Sequence, residues 1–116
     1  MVNYPETEQT YQALIKLKAV NKFVSFNIIF EGVQNIRLSR NLKANPSNLK
    51  GRVRRSLINN NRTTKANSSF QSSELSIADK YPKYRVMYKR PISLNEKGLA
   101  KDINEVEENS FCLVLK

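Results

Sequence analysis

Apolar and polar residues alternate along much of the first forty positions. Tyr11, Ala13, Ile15, Leu17 and Ala19 share one side, and Gln12, Lys16 and Lys18 mark the other. That period of two predicts a half-buried strand over 11–20. Asn21-Lys22 supplies a tight turn, after which Val24, Phe26, Ile28 and Phe30 alternate with Ser25 and Asn27. Glu31-Gly32 is a second turn signal. Ile36, Leu38 and Leu42 then alternate with Arg37, Ser39, Asn41 and Lys43, with Arg40 interrupting the apolar side. The expectation is a three-strand antiparallel meander over residues 11–43.

The period changes after Ala44. Asn45 followed by Pro46 is a helix-start signal, a side-chain cap before a residue whose fixed φ suits the first turn. Leu49, Val53, Ser56 and Leu57 then recur at helical spacing, with Lys50, Arg52, Arg54 and Arg55 on the flanks and back, so a helix is expected over 46–58. Gly51 falls on its solvent side and weakens it by about 1 kcal/mol relative to alanine. Residues 59–73, NNNRTTKANSSFQSS, hold only Ala66 and Phe70 as apolar members and read as a long, flexible, basic loop. A helical turn is expected within 73–80 and a strand over 84–90. Ser93-Leu94-Asn95-Glu96 has capping-box spacing ahead of Leu99, Ile103 and Val106, which stack on one helical face. Phe111 to Leu115 is nearly all apolar and reads as a terminal strand inserted in the sheet. The fold class expected is α+β: a small antiparallel sheet, made of the N-terminal three-strand meander plus one or two C-terminal strands, with one or two packed helices and the basic loop.

A chain of 116 residues with 40% hydrophobic content fits a single domain, 1–116, of modest stability. Its charge is what sets it apart. The net charge is +10, from 20 basic and 10 acidic residues. Residues 1–36 sum to zero. Residues 37–65 carry Arg37, Arg40, Lys43, Lys50, Arg52, Arg54, Arg55, Arg62 and Lys65 without an acid, and 96–116 turn acidic around Glu105, Glu107 and Glu108. Like charges packed into one stretch repel unless a counter-charge comes from outside. The predominance of arginine, a planar fork, suits phosphate or carboxylate.

The side chains of several enzyme classes are missing. With no histidine and one cysteine, neither a structural zinc site nor a histidine-activated nucleophile can be assembled. The three glycines, Gly32, Gly51 and Gly98, form no phosphate loop. No acid has a lysine two positions later, the spacing many metal-dependent nucleases use. A non-catalytic protein without a cofactor is expected. Cys112 lies in an apolar run and reads as a small buried hydrophobe. The N-terminus shows no secretory pattern and no apolar run is long enough to span a bilayer, so an intracellular, cytoplasmic setting is the expectation.

These features predict a basic surface formed by Arg37, Lys43, Lys50, Arg52, Arg54, Arg55, Arg62 and Lys65, extended by Arg85, Lys89 and Arg90 on the later strand. Its cations would neutralise phosphates. Tyr81, Tyr84 and Tyr88 interleave the later group, although an aromatic face on a strand is more often core than a platform for bases. The function expected is a nucleic-acid-binding accessory subunit, for RNA or DNA, in a larger complex. The alternative is a small interaction subunit that docks on an acidic protein partner. The pattern offers no helix at turn distance before 46–58, so no helix-turn-helix is read from it. Peripheral attachment to anionic lipid is disfavoured, because the basic helix has few large apolar residues and the chain has no Trp.

Overall fold

A computed structural model of the chain describes residues 5–58, 76–96 and 99–116. The element order is α1 (Pro5–Lys16), β1 (Val24–Ser25), α2 (Phe26–Ser39), α3 (Leu49–Ile58), α4 (Ile77–Lys80), β2 (Tyr84–Tyr88), α5 (Ile103–Glu108) and β3 (Ser110–Leu115). The α+β class holds, with helices against a three-stranded antiparallel sheet ordered β1-β3-β2. The N-terminal meander does not. Residues 11–43 supply α1, a two-residue strand and α2 instead.

The reason lies in which side chains are buried. On α1 the buried stripe is Thr7, Gln9, Thr10, Ala13 and Leu14, largely polar and so invisible to a hydrophobic pattern. Pro5 stands at the first helical position, Glu6 and Glu8 lie in the first turn and Lys16 in the last, all favourable to a helix and its dipole. On α2 the buried residues Phe26, Ile29, Val33, Ile36 and Arg37 follow a helical period, whereas Ile28 and Leu38 are exposed. Those outward apolar residues produce the false alternation. Packing has overridden local propensity.

Gly32, expected in a turn, sits inside α2 where the helix crosses α1. A Cβ there would come within 3.2 Å of the Ala13 Cβ, so the pair of small residues lets the two helices approach closely. Asn21 does mark a reversal, at φ 61°, but between α1 and β1 rather than between strands. The α3 helix begins at Leu49, three residues later than expected, after a turn closed by the Leu49 N–H donating to the Pro46 carbonyl. Its predicted face is buried as expected: Leu49, Val53, Ser56 and Leu57.

The sheet forms late in the chain. β3 is its central strand, with β2 on one edge and β1 on the other. Phe111 and Leu113 are fully buried and meet Phe26, Leu14, Ile29 and Val53 in one core. The capping box at Ser93 does not start a helix. Leu94 and Ala100 form an isolated antiparallel bridge, the Asn95 side chain accepts from the Leu99 N–H, and α5 begins only at Ile103. Asp102 caps it by accepting from the Asn104 N–H. Of the three apolar residues expected on that face, Val106 is buried and Ile103 is 53% exposed. The basic loop expected over 59–73 lies outside the described residues. No helix among the described residues is long and apolar enough to cross a membrane.

Arg37 is the one buried cation among the described residues. Its Nε donates to the Lys43 carbonyl at 2.7 Å, its Nη1 donates to the Gln9 side chain at 3.1 Å, and Glu6 lies 3.8 Å away. Removing it leaves these acceptors desolvated and without a donor. Arg37→Ala is therefore expected to destabilise the fold by about 3 kcal/mol, measured as a shift of the urea midpoint. An exposed cation such as Lys22 should shift it by no more than about 0.5 kcal/mol on the same substitution.

Candidate nucleic-acid interface

The structure divides the expected basic surface into four groups. Arg37, expected on the basic surface, is buried. Its guanidinium is consumed by α1 and the α2–α3 turn. Lys50 and Arg54 form the second group. Both reach the same carboxylate oxygen of Glu107, at 3.0 and 2.5 Å. Lys50 also lies over the Phe30 ring and Arg54 over the Phe26 ring, 5.6 and 5.9 Å from the centroids. These two cations join α3 to α5 and to the aromatic end of α2. The pairing holds the Glu107 carboxyl below the ordinary carboxylate range, through the hydrogen bonds from Lys50 and then Arg54, against a smaller opposing effect of burial.

The third group is the outward side of α3. Helical spacing places Gly51, Arg52 and Arg55 at i, i+1 and i+4, turned away from the buried stripe of Leu49, Val53, Ser56 and Leu57, and Asn48, exposed at φ 68°, stands in the turn just before the helix. Arg55 is exposed and Arg52 half-buried. At Gly51 a Cβ would meet nothing within 4 Å among the described residues. Beside it runs an apolar groove of about 190 Å³, lined on one side by Gly51, Arg55 and Ile58 and on the other by Leu99, Ala100 and Ile103. Lys43, in the turn that leads into α3, is exposed, and its carbonyl is held by Arg37.

The fourth group belongs to β2. Tyr84, Val86 and Tyr88 face inward, while Arg85 and Met87 are exposed on the other face. Lys83, Lys89 and Arg90 are exposed as well. The tyrosines serve the core. Tyr11 stacks on Tyr81 at 3.9 Å and meets Tyr84 edge-on at 5.7 Å, and Tyr88 packs edge-on against Phe111 at 5.5 Å. Burial pushes the Tyr88 and Tyr81 hydroxyls up. Arg62 and Lys65 lie outside the described residues.

Sequence reasoning missed Asn48 and the groove wall supplied by Leu99, Ala100 and Ile103. Gly51 did carry a signal: a glycine on the solvent side of a predicted helix. Burial pushes the Cys112 thiol up, in keeping with a packed hydrophobe. Among the described residues no cluster of three or more His, Cys, Asp or Glu forms that could hold a metal ion. Comparison with known proteins finds no matching protein family, curated protein or solved structure.

Glu107 makes the acid limb of stability predictable. Its folded-state acidity is stronger than in the unfolded chain, so its contribution is present above the ordinary carboxylate range and lost as pH falls through the depressed folded value. Glu107→Gln is expected to lower stability at neutral pH by about 1 kcal/mol. It should also flatten the decline below about pH 4, followed by thermal unfolding across a pH series.

Proposed function

We propose that this protein is a non-catalytic DNA-binding accessory subunit in which α2, the turn 40–48 and α3 act as a helix-turn-helix. In this reading α3 enters the major groove through Gly51, Arg52 and Arg55, with Asn48 in the turn before it. The segment between β2 and β3 flanks it, and Lys43 and Arg90 contact phosphates.

Connectivity supports the reading. Among the described residues α1, α2, α3 and the four-residue α4 precede β2, α5 lies between β2 and β3, and a short strand between α1 and α2 joins the sheet in the order β1-β3-β2; α4 and α5 apart, this is the plan of a winged helix-turn-helix. The helix that sequence patterning did not find before α3 is α2, hidden there as a strand. The turn 40–48 is longer than the usual ~4-residue connection, and Arg37 braces it from inside. Fold plan alone is only an analogy; the surface of α3 carries the argument.

The single observation on which the reading stands is Gly51. A mid-helix glycine costs up to about 1 kcal/mol, and no neighbour among the described residues requires it. A benefit that the interior does not supply must come from outside, and close approach of an external surface to the helix backbone is such a benefit. The cations beside it give that surface a negative sign. The major groove of B-form DNA admits a helix, whereas that of A-form RNA is too deep and narrow, which favours duplex DNA as the polyanion.

Fluorescence anisotropy with a mixed-sequence duplex tests this. Binding at low salt should weaken steeply as salt rises, and Arg52→Glu with Arg55→Glu should abolish it and leave the circular dichroism unchanged. Gly51→Ala should raise stability by about 0.5–1 kcal/mol, and Gly51→Leu, which fills the open space, should weaken DNA binding by about tenfold or more. No binding at low salt, or binding indifferent to both the arginine and the leucine changes, would refute the reading.

A further inference from the structure

Among the described residues no strand pairs with the outer edge of β2, and the hydrogen-bonding directions of that edge follow from the register. Tyr84 pairs with Leu115 and Tyr88 with Phe111. Just beyond the strand ends, the Lys116 N–H donates to the Lys83 carbonyl and the Lys89 N–H to the Ser110 carbonyl, each at 2.9 Å. In an antiparallel ladder alternate residues exchange both bonds. The odd positions 83, 85, 87 and 89 therefore point their backbone groups at β3. On the opposite edge of β3, Leu113 spends its N–H and carbonyl on Ala19 and Asn21, in agreement with that phase. The amides and carbonyls of Val86 and Tyr88 consequently point away from the sheet, and no hydrogen bond engages them among the described residues.

The side chains along this edge share one sign. Lys83, Arg85 and Lys89 project from the solvent face with Met87 between them, 38% exposed. Among the described residues none of these cations has a carboxylate within ion-pair distance. A second copy of the chain is a poor occupant. Antiparallel pairing of β2 with β2 about Met87 would set Arg85 opposite Lys89 twice, like charges at cross-strand distance. An acidic strand reverses the sign of each of those pairs.

We propose that the open edge of β2 receives an extended, acidic segment of a partner protein as a fourth strand. Backbone bonds to Val86 and Tyr88 give the register. Two carboxylates meet Arg85 and Lys89, and an apolar residue between them rests on Met87. Strand addition of this kind takes affinity from the main chain and selectivity from alternate side chains. The surface is separate from the α3 face assigned to DNA, so either assignment can fail without the other.

The probe is a nine-residue peptide alternating Glu and Thr about a central Val, with a Lys-for-Glu peptide as control. The full-length protein should bind the acidic peptide and not the basic one, and amide exchange at Val86 and Tyr88 should slow on binding. Val86→Pro deletes an outward N–H without touching the β2–β3 ladder, a position where an edge strand tolerates proline. It should weaken the peptide by about tenfold while DNA binding persists. Arg85→Glu with Lys89→Glu should exchange the preference of the two peptides, which tests the idea even if the proline variant fails to fold. Binding of the acidic peptide without protection at Val86 and Tyr88 would show attraction by charge alone and overturn the inference. So would failure to bind it at low salt.

Discussion

One buried guanidinium sets the geometry of the helical half of the molecule. Arg37 closes the end of α2 with its carbonyl, which accepts from the N–H groups of Arg40 and Leu42. Its side chain meanwhile ties α1 to the turn at Lys43. A cation removed from water is costly unless it is fully hydrogen-bonded, and the three elements around it are fixed in place by satisfying it. The direction in which α3 leaves that turn, and so the surface it offers, follows from this one arrangement.

The basic residues that look alike in sequence have diverged into distinct physical uses. Arg37 is a structural joint. Arg40 pairs with Glu8 across α1 and α2, and Lys50 and Arg54 share Glu107, so the acidic C-terminal part neutralises one flank of α3. What stays turned outward is narrower than the block of charge suggests: the Gly51 side of α3 and the solvent face of β2. The separation explains how nine cations in 29 residues (37–65) can be tolerated in one fold. Several are neutralised by the protein itself.

The later half of the fold was the more legible in sequence. Strands β2 and β3 follow alternation or continuous apolar character, and the buried face of α3 is the one its spacing predicts. The first half was misread because burial there does not track hydrophobicity. Thr7, Gln9 and Thr10 are inside while Ile15, Ile28 and Leu38 are outside, so the period of two over 11–30 is a coincidence of exposed apolar residues. The same error concealed α2 and with it the helix pair. At the candidate site, chemistry was legible but pairing was not: no rule of spacing brings Glu107 to Arg54, 53 positions apart. Gly51 was legible as a cost, and only the lack of a neighbour within 4 Å among the described residues turned that cost into an indication of use.

The central place of β3 has a bearing on how the molecule is made. Among the described residues β1 and β2 have no sheet partner except β3, and Phe111 and Leu113 complete the core around Phe26 and Leu14. As the ribosome delivers the chain, α1, α2 and α3 emerge with their apolar stripes uncovered and must wait for residues 110–115. The nascent protein thus passes through a stage in which helices are present but closure of the sheet is deferred, the kind of interval in which chaperone capture or misassembly competes with folding.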